Sequence, residues 1–243
     1  MILGLMEPPE AQERFLVVNA DDLGLSQAVN DGVFAAHEEG VVTSASLMVR
    51  QGAAPAAAER AAGHPDLAVG LHIDLGEWSY ADGEWTLAYS HCDLDDAADV
   101  ERECRAQLER FHALLGRNPT HLDSHQHVHE SEPLKRVAEA LAAELAVPLR
   151  NRAIRYEGGF YGQSGKGDPY PAGITPERLC ELIRSLPPGW TEVGCHPAAG
   201  PVPTSSYDAE RQIELETLRD PGVKNLLNVS NIRLCSFAQA NLG

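Results

Sequence analysis

Strand-like and helix-like segments alternate along almost the whole chain, and this alternation constrains the fold more than any other feature. Short apolar runs rich in β-branched residues predict strands at 15–18, 43–49, 68–73, 120–122, 147–154, 192–195 and 232–237. Longer amphipathic stretches predict helices at 26–39, 55–62, 96–115, 132–145, 176–186 and 208–218. Ser26, Ser131 and Thr175 stand at three predicted helix starts, where such side chains cap the first turn. The alternation indicates an α/β fold with a mainly parallel sheet.

Side chains capable of catalysis follow several of these strands, each at the point where the strand ends. They are Asp21, Asp22, His72, His125 and His196. The C-terminal ends of parallel strands form the active sites of α/β proteins. Because a closed sheet brings all its strand ends around one centre, the pattern predicts a TIM-barrel-like (β/α) barrel with helices outside. We expect one domain over 15–243, preceded by a loose leader at 1–14.

Four of the ten histidines and one aspartate lie in the run HLDSHQHVH at 121–129. If this segment stays extended, side-chain alternation places Asp123, His125, His127 and His129 on one face. Imidazoles and a carboxylate on one face are suitable ligands for a divalent metal. The alternative is a polar strand end whose histidines bond to backbone and water. The density of the cluster favours metal binding or catalysis.

Two adjacent carboxylates, Asp21 and Asp22, directly follow the first apolar strand. Acidic pairs are often only solvated or capping, but adjacent carboxylates repel, and a metal bound to one of them relieves the repulsion. The other can then stay ionised and act as a base toward metal-bound water. His196 precedes Pro197 and could protonate a leaving group, although it could also be a simple turn residue. His72 taken alone is better explained as a core histidine with satisfied hydrogen bonds.

Composition and charge narrow the class of protein. The chain has 243 residues, 43% of them hydrophobic, and a net charge of −17. This charge disfavours nucleic acids and anionic membranes as partners, because both attract basic surfaces. We expect no membrane span, because the sequence has no apolar stretch of about 18 residues. The odd number of cysteines and the lack of a C-x-x-C pair argue against a disulfide framework and favour a cytoplasmic location.

Five motifs resemble those of the YdjC-like carbohydrate deacetylases and occur in the same order. They are NADDLGLS at 19–26, VTSASLMV at 42–49, GLHIDL at 70–75, THLDSHQHVH at 120–129 and GCHP at 194–197. The resemblance extends over about 15–196. It implies a distorted (β/α) barrel that hydrolyses the N-acetyl group of an amino sugar or oligosaccharide and releases acetate.

The resemblance also implies roles for individual residues. The implied metal ligands are Asp22, His72 and His125. Asp21 corresponds to the catalytic base and His196 to the acid. His127 belongs to the motif as well, either as an alternative ligand or as a support for one. The family suggests one Mg²⁺ ion, whereas two imidazoles and one carboxylate suit Zn²⁺ or another transition metal better.

The expected substrate is a small N-acetylated sugar. Three long segments, 76–95, 156–173 and 197–207, are predicted to be loops, and long loops over a rigid scaffold are often binding loops. In 156–173, aromatic residues alternate with glycines. Because the C–H faces of sugars stack on aromatic rings, we expect Phe160 and Tyr161 to contact the substrate. The alternative is a mobile surface loop.

Two other functions compete with this interpretation. A metal-dependent phosphoesterase on the same barrel would need basic groups, for which Arg150, Arg152 and Arg155 are the candidates. The net charge of −17 disfavours it. A non-catalytic sugar- or metal-binding protein would not need a base and an acid together. A homodimer is one assembly compatible with the sequence.

Overall fold

A computed structural model describes residues 13–81, 83–203 and 205–240, so the leader predicted at 1–14 falls almost entirely outside the described residues. The strands are β1 (Arg14–Leu23), β2 (Ser44–Leu47), β3 (Ala68–Ile73), β4 (Gly76–Ala81), β5 (Glu84–Ser90), β6 (Leu122–Ser124), β7 (Arg155–Glu157), β8 (Gly189–Cys195) and β9 (Ile232–Cys235). The helices are α1 (Gln27–Glu38), α2 (Ala54–Ala61), α3 (Ala97–Leu115), α4 (Leu134–Leu145), α5 (Pro176–Ser185), α6 (Ala209–Arg219) and α7 (Pro221–Val229). Short 3₁₀ segments are His125–Glu130, Pro171–Ile174 and Phe237–Gln239.

Parallel pairing organises the main sheet, in which six strands follow the order β6-β3-β2-β1-β8-β7. β9 pairs with residues 14–17 of β1, and β2 pairs with the second half of the same strand. Single bridges from Leu122 to Leu149 and from Arg150 to Ile154 connect the two edges of the sheet. The strands therefore curl into a distorted (β/α) barrel, and the predicted fold class is confirmed.

The central strand β1 carries the site at its C-terminal end. It is ten residues long, and Leu16, Val17 and Val18 in its middle have no solvent exposure. A continuous apolar run of this kind is typical of a strand that has parallel neighbours on both edges and is covered on both faces. Burial of this run fixes the strand in the barrel, so Asp21 and Asp22 are held at the barrel's C-terminal end.

The helix starts show which capping predictions were right. Ser26 and Thr175 each accept a hydrogen bond from the backbone N–H three residues further on, so they cap α1 and α5 as predicted. Ser131 does not cap α4, because that helix begins at Leu134 and Pro133 occupies its N-cap position. The helix α7 was not predicted.

The histidine-rich run is not extended beyond β6, so the prediction of one shared face was wrong. β6 ends at Ser124, and the 3₁₀ segment that follows contains Gln126 and His127 in the left-handed backbone region, with φ of 51° and 55°. This turn abolishes the two-residue alternation on which the shared face depended. The strand predicted at 147–154 is also wrong, since only the single bridges described above remain of it.

The segment at 76–95 is not a plain loop either, since it contains the antiparallel hairpin β4–β5. Trp78 pairs with Leu87, and Tyr80 pairs with Trp85. Cross-strand aromatic and aliphatic pairs of this kind stabilise antiparallel strands. The hairpin follows directly on β3, so it stands beside the C-terminal ends of the barrel strands.

Close packing inside the barrel depends on Gly70 in β3. A Cβ atom at this position would lie 2.4 Å from the Cε1 atom of His121, so only glycine leaves room for the imidazole. His121 is fully buried and stacks on Phe237 with a ring separation of 3.9 Å. The ring of His121 therefore fills the space beside Gly70.

The cysteines and the helices agree with two predictions based on composition. All five cysteines are free thiols, as expected for a chain without a disulfide framework. Within the described ranges, none of the helices is both long enough and apolar enough to cross a membrane.

Candidate metal centre and catalytic site

The C-terminal ends of β1, β3, β6 and β8 meet around one cavity of about 580 Å³. The residues predicted from the sequence that line it are Asp21, Asp22, His72, His125, His127, Tyr161 and His196. Asp22 has a left-handed backbone with φ of 64°, which turns the chain at the end of β1. The barrel thus brings together side chains that lie far apart in the sequence.

Asp22, His72 and His125 form a compact group in which one ligand-type atom from each residue lies within 4.8 Å of the others. Asp22 Oδ1 is 3.4 Å from His72 Nε2 and 3.2 Å from His125 Nδ1. The Nε2 atom of His72 is buried and has no hydrogen-bond partner in the part of the chain that the structure describes. Buried polar atoms are rarely left unpaired, so this nitrogen is a candidate metal ligand. Two imidazoles and one carboxylate could hold a divalent metal ion.

Asp123 orients His72. Its Oδ1 atom is 2.8 Å from His72 Nδ1, while its Oδ2 accepts a 2.6 Å hydrogen bond from Ser46 and lies 2.8 Å from Arg150. A carboxylate on one imidazole nitrogen leaves the other nitrogen free to bind a metal. Asp21, His72 and Asp123 are also close enough to hold an ion. That second group is less suitable, because both oxygens of Asp123 already have partners.

A buried arginine, Arg150, lies at the centre of the barrel with no solvent exposure. Its guanidinium donates two 2.7 Å hydrogen bonds to Asp21 and two bonds of 2.6 and 2.9 Å to Glu192. It also lies 2.8 Å from Asp123 and 4.9 Å from the ring centroid of Tyr156. Arg150 therefore neutralises a set of buried carboxylates, and it is not free to bind a phosphate as the phosphoesterase hypothesis required.

The same guanidinium sets the protonation of its neighbours. Burial by itself raises the pKa of Asp21, but the charge and hydrogen bonds of Arg150 outweigh burial and lower it. The pKa of Asp123 is likewise held well below its usual range against the effect of burial. Burial dominates for Glu192 and raises its pKa to about 7 in spite of Arg150. Asp21 is therefore an ionised carboxylate at neutral pH.

Arg211 of α6 plays a similar part for Asp22. Its guanidinium donates a 2.7 Å hydrogen bond to Asp22 Oδ2 and a 2.7 Å bond to the carbonyl oxygen of Tyr207. Burial raises the pKa of Asp22, but Arg211 and the two histidines outweigh it, so the pKa lies well below its usual range. Arg211 lies outside every motif noted in the sequence, and the predictions from sequence missed it.

His196 directly follows β8 and lies next to Asp21. Its Nε2 atom is 3.9 Å from Asp21 Oδ2, and its Nδ1 atom is 3.7 Å from Glu214 Oε1. Glu214 also accepts hydrogen bonds from the backbone N–H of His196 and from the hydroxyl of Tyr207. Burial lowers the pKa of His196, but Glu214 and the nearby aspartates outweigh it and raise the pKa. The predictions from sequence also missed Glu214.

The structure places His127 in the cavity wall and outside the compact ligand group. Its ring packs against Tyr156 at 4.9 Å, and burial together with the charge of Arg150 lowers its pKa to about 4. His129 is fully buried and lies 2.6 Å from the hydroxyl oxygen of Ser124. The turn after β6 has separated both histidines from His125.

The two aromatic residues predicted to bind substrate have different positions. Tyr161 lines the cavity, stacks on Tyr207 at 4.8 Å and presents its ring edge-on to His196 at 5.7 Å. Phe160 is only 2% exposed and packs in the hydrophobic core. The prediction that Phe160 contacts a sugar is therefore wrong, because its ring is buried in the core. Of the two residues, only Tyr161 lines the cavity.

Fold and site together define a distorted (β/α)-barrel protein with a candidate metal centre and a neighbouring aspartate–histidine pair at the C-terminal ends of its strands. A family model described as YdjC-like protein matches residues 15–229, and the chain belongs to that family. The resemblance noted in the sequence is thereby confirmed.

Named relatives match nearly the whole chain. A carbohydrate deacetylase from Geobacillus stearothermophilus is 38% identical over 240 residues, which cover 93% of this chain and 98% of the relative. A chitooligosaccharide deacetylase from Serratia marcescens is 33% identical over 257 residues, with coverage of 93% and 98%. A solved structure of a proposed cellobiose-phosphate cleavage protein from Enterococcus faecalis V583 superposes with a TM-score of 0.76 and 27% identity, covering 93% of this chain and 98% of its own.

Proposed function

We propose that this protein is a metal-dependent deacetylase that hydrolyses the N-acetyl group of an amino sugar or short oligosaccharide. The observation that carries the proposal is one cavity that joins a three-residue ligand group with an ionised carboxylate and a histidine of raised pKa. Binding alone would need no such base and acid side by side. The names of the relatives, carbohydrate deacetylase and chitooligosaccharide deacetylase, support the same reaction.

Asp22, His72 and His125 are the residues that we assign to the metal. The unpaired Nε2 atom of His72 and the convergence of two imidazoles on Asp22 Oδ1 fit a bound cation. A divalent ion at this position supplies Lewis-acid activation of water and of a carbonyl oxygen. The nitrogen-rich ligand set favours Zn²⁺ or another transition metal, whereas Mg²⁺ prefers oxygen ligands.

Asp21 is suited to take the proton of the attacking water. Its Oδ1 atom already accepts hydrogen bonds from Asn19 and Arg150, whereas Oδ2 accepts one bond, from Arg150. Because a carboxylate oxygen has two lone pairs, Oδ2 keeps one acceptor site on the side of His196. The arginine holds this carboxylate in place and keeps it ionised, so a proton can be accepted at a fixed position as the water oxygen bonds to the acetamide carbon.

His196 is suited to give a proton to the departing amine. Glu214 accepts a hydrogen bond from the backbone N–H of His196 and lies 3.7 Å from its Nδ1 atom, while the Nε2 atom lies on the side of Asp21. The raised pKa favours the protonated ring near neutral pH. Breakage of the C–N bond then proceeds with transfer of this proton to nitrogen, which leaves acetate and a free amino sugar. Tyr161 stands beside His196, where its ring can position the sugar.

The decisive experiment is acetate release from a panel of N-acetylated sugars. The protein is stripped with a chelator and reloaded separately with Mg²⁺, Mn²⁺, Co²⁺ or Zn²⁺. We expect no release from the stripped protein and recovery of activity with at least one ion, because the bound ion is the Lewis acid of the proposed reaction. Equal acetate release before and after stripping would contradict metal dependence. Turnover of a phosphodiester without any acetate release would favour the phosphoesterase instead.

Removal of one ligand tests the metal assignment independently of activity. The variant His125→Ala is expected to lose most of its bound metal, because three protein ligands leave little redundancy. Metal content of the purified variant, measured by elemental analysis, checks this. His127→Ala is the matched control, since that ring also lines the cavity but lies outside the ligand group, and it should keep its metal. The opposite result for the two variants would transfer the ligand role to His127.

A further inference from the structure

A tyrosine hydroxyl without a partner lies in the wall of the candidate catalytic cavity. Tyr156 of β7 lines this cavity together with Asp21 and His196. No other residue that the structure describes forms a hydrogen bond with the hydroxyl. The oxygen is also not one of the buried polar atoms that lack a partner, so it is open to the cavity. Because a phenol hydroxyl is a hydrogen-bond donor, Tyr156 presents a free donor to whatever occupies the cavity.

The register of the barrel strands places this hydroxyl next to Asp21 and His196. Gly194 of β8 pairs with Asn19 of β1. Gly194 lies two positions before His196, on the same face of the chain. Asn19 lies two positions before Asp21 and donates a 2.9 Å hydrogen bond to its Oδ1 atom. A Cβ atom at Gly194 would be 2.7 Å from the hydroxyl oxygen of Tyr156, so the hydroxyl occupies the space directly below the aspartate–histidine pair.

Two neighbours hold the ring of Tyr156, so the position of its hydroxyl is fixed before a substrate binds. The ring centroid is 4.9 Å from the Cζ atom of Arg150 and 4.9 Å from the ring centroid of His127. Arg150 also donates hydrogen bonds to both oxygens of Asp21, so the tyrosine ring and the aspartate share one support. Burial raises the pKa of the Tyr156 hydroxyl, which therefore stays protonated at neutral pH. A fixed, uncharged donor can stabilise a developing negative charge without neutralising Asp21.

We propose that Tyr156 is a further catalytic residue, whose hydroxyl donates a hydrogen bond to the acetamide oxygen while the amide is hydrolysed. The inference rests on the proposed function and adds a residue to its chemistry. As the water oxygen bonds to the carbonyl carbon, the π electron pair of the C=O bond moves to the carbonyl oxygen, and Asp21 takes the proton of the water. The hydrogen bond from Tyr156 strengthens as this charge grows, and the proton stays on the phenol oxygen. When the C–N bond breaks, the C=O bond forms again and His196 protonates the nitrogen.

Two other roles of the hydroxyl predict different kinetics for Tyr156→Phe, which removes one oxygen atom and retains the ring. A hydrogen bond to the bound sugar that is equally strong before and during the reaction would, when lost, raise KM and leave kcat unchanged. A role of the ring alone, as a support for Arg150, would leave both constants unchanged. A hydrogen bond made only in the transition state would, when lost, lower kcat and kcat/KM by the same factor. The kinetic constants of this one variant therefore separate the three roles.

Acetate release by Tyr156→Phe is measured with the best substrate of the panel of N-acetylated sugars. We expect kcat to fall about 10²-fold and KM to stay within about twofold to threefold of the parent value, because loss of one donor to a developing oxyanion typically costs about 10²–10³-fold in kcat. Metal content should equal that of the parent, since the metal ligands are unchanged. Tyr80→Phe is the matched control, because it removes a phenol hydroxyl from the wall of the same cavity, and its kcat should stay close to the parent value. A near-normal kcat in Tyr156→Phe, or a rise in KM alone, would overturn the proposal.

A tetrahedral analogue of the substrate measures the same hydrogen bond without turnover. In this analogue a methylphosphonamide group replaces the acetamide, so a tetrahedral phosphorus carries a negatively charged oxygen. Calorimetry should show that Tyr156→Phe binds the analogue about 10²-fold more weakly than the parent does, because such analogues gain affinity from contacts that the substrate makes only in the transition state. Equal affinity of the two proteins for the analogue would refute the role of the hydroxyl.

The same measurements separate this proposal from the proposed function. Normal kcat in Tyr156→Phe together with an inactive Asp21→Asn variant would remove Tyr156 from the chemistry and leave the deacetylase reaction intact. Absence of acetate release by the parent from every sugar of the panel would refute both proposals. Urea unfolding of Tyr156→Phe should match that of the parent, because the ring contacts with Arg150 and His127 are retained.

Discussion

Asp21→Asn is expected to lower kcat for acetate release by roughly 10²–10⁴-fold, the usual effect of losing a general base. The amide has nearly the shape of the carboxylate but cannot take a proton from water. It leaves Asp22, His72 and His125 intact, so the metal content should stay at the level of the parent protein. Steady-state kinetics and elemental analysis of the same preparation measure the two quantities together.

The control for this variant is Asp31→Asn. Asp31 lies on the outer surface of α1, where it accepts a 3.0 Å hydrogen bond from Arg60, and its removal should change neither activity nor metal content. Near-normal turnover in Asp21→Asn would exclude Asp21 as the base. Loss of the metal together with activity would instead identify Asp21 as a ligand, as the second carboxylate–histidine group around His72 allows.

Arg150→Met is expected to lower the free energy of unfolding by at least about 3–5 kcal/mol, because it leaves buried carboxylates without their cation. The guanidinium contacts Asp21, Asp123 and Glu192, all of which are buried. Urea unfolding at neutral pH measures the loss. Arg152→Met is the matched control two residues away, where the arginine forms ion pairs with Glu130 and Glu139 at the surface.

Exposed ion pairs contribute about 0–1 kcal/mol, so the free energy of unfolding of Arg152→Met should be close to that of the parent protein.

The pH dependence of the free energy of unfolding gives a second measure of Arg150→Met. Without the guanidinium, burial raises the pKa of the three carboxyl groups above their unfolded values. Their protonated forms then favour the fold at low pH, and stability is lost as pH rises through the raised pKa values. The deficit should therefore be smaller near about pH 5 than near about pH 8. Equal stability of the two variants at all pH values would show that the buried network is dispensable.

The sequence allowed the strand ends to be predicted because the pattern involved is local. An apolar run that ends in a carboxylate or an imidazole can be recognised within five or six residues, as at Asp21, His72 and His196. The hairpin β4–β5 was missed because β5 is almost entirely exposed, so no buried apolar face marks it as a strand. The turn after Ser124 was missed because left-handed residues at Gln126 and His127 are unusual for side chains with a Cβ atom.

The sequence by itself determined the parallel α/β barrel, the family, and the set of carboxylates and imidazoles at the strand ends, because periodicity and motif spacing are properties of neighbouring residues. Only the tertiary structure decided how these groups are held and charged. Arg150 reaches Asp21 across 129 positions, and Arg211 reaches Asp22 across 189. No local pattern encodes such pairs. The pKa of each site residue depends on burial and on these distant charges, so the protonation states on which the proposed chemistry depends arise only when the barrel closes.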